Sequence, residues 1–272
     1  MLKKGLKSAV AVLAASARTM IGTWYWEVKS RLIYQHLYRM LDLEYSLQSG
    51  VHLEVRSKGE WWVYNDIFVN REYDIPIALM LDSYGGQSLT VLDLGANVGY
   101  FCLRIVDLMR QRRQQDQLLE ITMVEGSPST FRELERRLCS QNLPEVRLAL
   151  IHGLAGLPTG TGVVHESALH VKNTIMGPVD NTGESVAFVD LKELMRTREK
   201  IDLLKCDIEG AELLVLENYQ TNLLPRVKAA VFELHHDLCD TAKCIRILED
   251  CGFHPTPLRA ADSFSVYYFS RT

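Results

Sequence analysis

Nothing constrains this chain more than the way one short apolar run after another, from residue 75 onward, breaks on a turn and gives way to helical spacing. Strands that are apolar along their whole length are buried on both faces, and intervening helices are the crossovers that a parallel sheet requires. The sharpest instance is VLDLGANVGYF, residues 91–101. An apolar strand ends there on Gly95, and Val98, Phe101, Cys102, Ile105, Leu108 and Met109 then recur along one helical face. LEITMVE, VRLALI, IDLLKCD and VKAAVFELHH supply four more strands. Ser127 and Pro128 form an N-cap and first helical position, continued by Phe131, Leu134 and Leu138. IPIALMLDSY, FVDLKELMRT, AELLVLENY and the stripe Leu238, Ala242, Ile245, Leu248 read as further helices, with GFHPTPLR and SFSVYYFS as closing strands. The expected fold is α/β, a doubly wound Rossmann-like sheet that is mostly parallel with an antiparallel C-terminal strand.

With 272 residues, 47% of them hydrophobic, the chain has apolar material for one large core. We assign residues 75–272 to the α/β domain and 1–74 to an N-terminal extension of helix and hairpin. Trp24, Val28, Leu32, Gln35 and Tyr38 advance by one turn each, so 24–48 reads as a helix. VHLEVRS and EWWVYND alternate across Lys58-Gly59, which predicts a β-hairpin. Lys3, Lys4 and Lys7 precede a short apolar run in a basic amphipathic helix, lying either on a membrane or on the protein's own body. No stretch reaches the roughly 18 uncharged apolar residues of a bilayer span. A net charge of -4 offers no field to gather phosphate backbones, so nucleic acid is not an expected partner. Six cysteines lack any Cys-x-x-Cys pair, which suits a reducing, cytoplasmic setting, and Cys239, Cys244 and Cys251 read as helix packing rather than zinc ligands. Residues 152–185 form a long Gly-, Thr- and Asn-rich excursion with one hairpin.

Open α/β sheets bind ligands outside the carboxyl ends of their strands, and glycines there let a ligand approach the backbone. The spacing Asp93-x-Gly95-x-x-x-Gly99, with Ala96 and Asn97 between, departs from the Gly-x-Gly-x-x-Gly pattern that cradles a pyrophosphate. An acid in that turn repels phosphate and suits an ammonium group. Glu125, followed by Gly126 and Ser127, ends the second strand, where a carboxylate can accept both ribose hydroxyls of an adenosine moiety. In IDLLKCDIEGAELLVL, residues 201–216, Lys205, Asp207, Glu209 and Glu212 crowd the end of the fourth strand and the start of a helix. Acids there can simply complement the helix dipole. Asp207, however, falls beside the glycine turn and faces whatever binds it.

VLDLGANVGYF, VEGSPSTF, VDLKEL with IDLLKCDIEGAELLVL, and VFELHH, taken in order over residues 90–236, resemble the FkbM-type methyltransferases. The resemblance implies a class I methyltransferase fold, S-adenosylmethionine as donor and O-methylation of a hydroxyl on a small molecule, sugar or glycan. Carried over by position, it implies cofactor contacts at Asp93, Gly95, Asn97, Gly99 and Glu125, with Asp207 closing the pocket. Lys205, Glu209 and Glu212 match the KxDxEGxE motif, while Cys206 departs from the family's usual apolar or β-branched residue.

A hydroxyl acceptor needs its proton taken, and His235 is the first candidate base because it follows the fifth strand and can titrate near neutrality, with His236 and Asp207 as rivals. Asp207, Glu233 and His235 could instead assemble a divalent metal site, although the metal-free reading is preferred. Trp61, Trp62, Tyr64 and Tyr73 either fill a core seam or stack on the acceptor, with the 152–185 loop as the opposite wall. Two other functions fit the pattern less well: a nicotinamide-dependent oxidoreductase, and a non-catalytic binding protein on a methyltransferase-like core.

Overall fold

The computed structural model describes residues 35–41, 43–114, 116–164 and 183–271. Seven strands form the central sheet: β3 (Leu89–Leu94), β4 (Leu119–Glu125), β5 (Val146–His152), β8 (Leu203–Cys206), β9 (Ala229–His235), β10 (His254–Ala260) and β11 (Phe264–Ser270). Their order is β10-β11-β9-β8-β3-β4-β5. Neighbours from β9 to β5 run parallel, whereas β11 is antiparallel to both β9 and β10.

Alternation along each strand divides the core between the two faces of the sheet. Leu89, Val91, Ile121, Met123, Leu203 and Val231 point to one side, where Ile77, Phe101 and Leu134 of α3 (Asp74–Asp82), α4 (Tyr100–Gln111) and α5 (Pro128–Cys139) cover them. Leu92, Leu94, Val124, Leu204, Cys206, Phe232 and Leu234 point to the other, under Val215, Leu216, Cys244 and Leu248 of α7 (Glu212–Tyr219) and α8 (Thr241–Asp250). This two-sided burial makes the strands read as continuous apolar runs. The chain leaves β3 toward β4 and β5, then returns to lay β8 on β3's other flank. The crevice at that reversal is where a doubly wound sheet takes its ligand.

Before the sheet, the structure corrects two expectations. Residues 43–48 are not helical: α1 (Gln35–Leu41) ends before β1 (Leu43–Ser46), and residues 24–34 lie outside the described part. The hairpin exists with a different partner, since β1 pairs β2 (His52–Val55) and the second expected strand is α2 (Lys58–Tyr64), continued by a π-helical turn over Asn65–Val69. The physical reason is a variant of the capping box in which the glutamate reaches back to the residue before the N-cap. Ser57 Oγ accepts from Glu60 N at 3.1 Å, and Glu60 Oε2 accepts from Arg56 N at 2.8 Å. Two otherwise orphaned backbone donors are thereby satisfied, which outweighs the period-two look of EWWVYND. Farther on, α6 is only Leu191–Leu194, shorter than FVDLKELMRT suggests, while β6 (Thr161–Val164) and β7 (Glu184–Ala187) pair as the hairpin of the long excursion.

The described part of the extension shares the main core rather than forming its own, as Val51, Leu53, Val55, Ile67 and Tyr73 join the cluster around Val91 and Phe101. Arg137 of α5 locks it in place. Its guanidinium donates to Glu60 Oε2 at 2.8 Å, to Glu133 Oε1 at 2.7 Å and to the carbonyl of Glu54 at 2.8 Å, while Tyr100 Oη donates to that same carbonyl. Among the described residues no helix is long and apolar enough to cross a membrane.

Candidate functional site

A cavity of about 900 Å³ opens at the carboxyl ends of β3, β4, β8 and β9. Gly95, Ala96, Asn97, Glu125, Gly126 and Ser127 line one part of it, and Lys205, Asp207, Glu209, Glu233 and His235 another. The sequence-predicted donor and base residues therefore converge, apart from Asp93, Gly99, Glu212 and His236, which do not line it. Asp93 is fully buried, 3.3 Å from Lys205 Nζ. Gly99, at φ 92, makes the bend into α4 against Leu134.

The turn after β3 has almost no free space. Gly95 sits at φ 78, and a Cβ there would lie 1.7 Å from the carbonyl oxygen of Asp207. Asn97 follows at φ 50, a left-handed conformation that asparagine tolerates better than most residues. Its backbone N–H donates to Glu125 Oε2 at 2.9 Å, and Ser127 N–H donates to Oε1 at 2.8 Å. One backbone donor on each oxygen fixes the carboxylate plane and leaves each oxygen a further lone pair toward the cavity. Burial pushes the Glu125 pKa up, against the opposing pull of those two N–H groups.

Lys205 ties the two halves together. Its ammonium donates to the Gly95 carbonyl at 3.0 Å and lies 3.3 Å from Asp93 and 3.6 Å from Asp207. Burial alone would lower its pKa, but the charges of Asp93 and Asp207 raise it instead. Lys205 is thus a fixed cation holding the glycine turn, not a proton acceptor.

The motif after β8 has a local explanation as well. Glu209 takes φ 52 and Gly210 φ 102, which turns the N–H groups of Ile208 and Gly210 onto Glu212 Oε1 at 3.2 and 3.1 Å. The Glu212 side chain is wholly buried, and the same oxygen lies 3.4 Å from His235 Nδ1. On the ring's other side, Nε2 is 3.3 Å from Glu209 and 3.5 Å from Glu233. His235 is therefore not poised near neutrality. Burial would depress its pKa, yet the Glu212 contact and the charges of Asp207 and Glu209 carry it up to about 10. His236 does not line the cavity; its ring holds Ser265 Oγ at 2.9 Å and the Asp262 carbonyl at 3.2 Å.

The aromatic residues divide between the two roles weighed for them. Tyr64 stacks on Tyr45, Trp61 and Phe68, and Tyr73 is buried edge-on to Phe101. Trp61, Trp62 and Tyr73 also line the cavity, with Trp62 42% exposed. Gly153, Leu154, Ala155 and Val164 contribute a further part of the wall from the described portion of the long excursion.

Sequence reasoning missed Glu72 and Arg259. Arg259 of β10 reaches Glu72 at 3.1 Å and Asp66 at 2.6 Å, and all three line the cavity. Burial raises the Glu72 pKa to about 7 despite the Arg259 charge. No local pattern announces this group, because 187 positions separate Glu72 from Arg259.

A family model described as the methyltransferase FkbM domain matches residues 93–255. Methyltransferase sdnD of Sordaria araneosa is 25% identical over 240 residues, covering 75% of this chain and 87% of the relative. Among solved structures, a SAM-dependent methyltransferase from Agrobacterium tumefaciens aligns at a TM-score of 0.47 and 11% identity, over 85% of this chain and 70% of that one. A methyltransferase FkbM from Methylobacillus flagellatus KT aligns at 0.46 and 14%, over 67% and 43%.

Proposed function

Because this chain belongs to the FkbM methyltransferase family, whose methyl donor is S-adenosylmethionine, we propose that it methylates a hydroxyl oxygen of a small molecule, sugar or glycan. One observation carries the reading: a single cavity holds both the Gly95–Glu125 cradle and the acid–imidazole cluster of Asp207, Glu209, Glu233 and His235.

The cradle fits the donor. Glu125 has a lone pair free on each oxygen for the two ribose hydroxyls, and the bare Cα of Gly95 keeps the turn pressed against Asp207. Ligand pockets run roughly 300–1,000 Å³, so a cavity of about 900 Å³ leaves room for an acceptor beside the donor. Bound S-adenosylmethionine supplies an electrophilic methyl group on a sulfonium. The protein's task is alignment of an oxygen with that methyl, and orientation of this kind contributes roughly 7–11 kcal/mol. Asp207, at the end of β8 beside the glycine turn, stands at the junction of the donor and acceptor parts of the cavity. The hydroxyl's proton passes to a carboxylate of the cluster, and His235, which Glu209, Glu212 and Glu233 surround, holds those carboxylates in place.

Isotopically labelled S-adenosylmethionine incubated with the purified chain and a metabolite extract tests the reading by mass spectrometry and NMR. We expect label in a methoxy group. Label on nitrogen or carbon would overturn the hydroxyl assignment, and tight donor binding without turnover on any extract would favour a non-catalytic binding protein.

A further inference from the structure

We propose that Asp207, Glu233 and His235 form a binding site for a divalent first-row cation, open on the cavity side to an oxygen of the acceptor. One donor atom from each residue lies within 4.8 Å of the other two. Around such a cation, with bonds of roughly 2.0–2.2 Å, neighbouring ligands stand about 3.0–3.6 Å apart. His235 Nε2 and Glu233 are already 3.5 Å apart, and any longer separation among the three donors must close by about 1–2 Å at most. An imidazole nitrogen with two carboxylates is a mixed donor set that suits manganese, iron or zinc better than calcium.

Two further observations point to a ligand here. Glu212, wholly buried and anchored by two backbone N–H groups, backs His235 Nδ1. A carboxylate behind one ring nitrogen is the arrangement that fixes the tautomer of a metal-bound histidine and aims the other nitrogen at the metal. In this chain that other nitrogen, Nε2, faces Glu209 and Glu233. The second observation lies in the same cavity wall. The side chain of Glu72 is 5% exposed, and its Oε1 has no hydrogen-bond partner among the described residues.

The balance of charge agrees. Glu72, Asp207, Glu209 and Glu233 all line this cavity. Of the basic groups there, Lys205 is engaged by Asp93 and Asp207, and Arg259 by Asp66 and Glu72, while His235 would exchange its ring proton for the cation. A cation supplies the positive charge that so many carboxylates call for, and would hold the acceptor oxygen as a further ligand. That last role rests on the transferase reading; the site itself does not.

Isothermal titration and electron paramagnetic resonance of the chelator-treated full chain with Mn²⁺ test the proposal, with titrations of Mg²⁺, Zn²⁺ and Ca²⁺ as comparisons. We expect one Mn²⁺ per chain. Glu233→Gln and His235→Ala should each weaken binding more than tenfold, and Glu212→Gln roughly 10- to 100-fold through loss of the backing carboxylate. Retained S-adenosylmethionine binding by Glu233→Gln would report that this variant is folded. A wild-type chain that binds S-adenosylmethionine but none of Mn²⁺, Mg²⁺ or Zn²⁺ would overturn the proposal, as would Mn²⁺ binding that ignores both Glu233→Gln and His235→Ala. Labelled product without metal binding would sink the site and spare the transferase reading; metal binding without labelled product would do the reverse.

Discussion

Replacing Gly95 by alanine offers the most direct check on how the donor cradle is built. An alanine Cβ would lie 1.7 Å from the Asp207 carbonyl oxygen, where real contacts stay beyond 3.0 Å, so the two backbones must part by about 1.3 Å. Neither has an easy retreat, since Gly95 N–H donates to Val124 and Asp207 N–H donates to Leu94, both within the sheet. Holding alanine at φ 78 adds roughly 1–2 kcal/mol of left-handed strain, and overpacking in a tight interior adds roughly 1–3 kcal/mol. Gly95→Ala should therefore lose about 2–5 kcal/mol in urea unfolding. Its affinity for S-adenosylmethionine, measured by titration calorimetry on the folded fraction, should fall more than tenfold because the turn that meets the donor has moved. A variant within 0.5 kcal/mol of the parent and equal to it in donor affinity would refute the close approach of these strands as the reason for glycine.

Three further outcomes follow from the same structure. Glu125→Gln, which exchanges one acceptor oxygen for a donor facing a backbone N–H, should weaken S-adenosylmethionine binding roughly 10- to 100-fold by calorimetry; an unchanged affinity would remove Glu125 from the ribose. Arg137→Met strands the buried Glu60 carboxylate and should cost about 3–5 kcal/mol in urea, with Glu60→Gln added to it restoring part of the loss; a cost under 1 kcal/mol would show that the extension is held by apolar packing alone. Glu133 loses some hydration through burial, but hydrogen bonds from Arg136 and Arg137 outweigh this and hold its pKa down to about 2. A depressed folded pKa gives stability that is complete above the ordinary carboxylate value and drains away as pH falls toward 2. The unfolding free energies of the parent and Glu133→Gln should thus converge between pH 5 and pH 2, and a constant difference across that range would contradict the pairing.

What the sequence disclosed followed burial. β3, β4, β8 and β9 are apolar along nearly their whole length because helices cover both faces, and α5 announces itself through Ser127 and Pro128. Where burial is one-sided, pattern alone misleads. EWWVYND alternates like a strand, yet the Ser57–Glu60 capping box, legible as Ser-x-x-Glu, settles it as a helix. The cradle was readable for the same kind of local reason, since its glycines, Asn97 and Glu125 sit on consecutive βα turns. Glu72 and Arg259 were not, because only the tertiary fold joins them. His235 shows the limit most clearly. The sequence gives its position after β9, but its proton affinity depends on Glu209 and Glu212 from the neighbouring turn and Glu233 two residues before it.

The placement of β11 between β9 and β10 carries a consequence for how the protein is made. His235 lies opposite Phe264 and Glu233 opposite Val266, so a nascent chain emerging from the ribosome can lay down β3, β4, β5, β8 and β9 while one rim of that ladder is still bare. Such a rim invites pairing with other chains. A stall or premature stop upstream of residue 264 would accordingly yield an aggregation-prone product, and one whose acid–imidazole cluster has no strand to brace it.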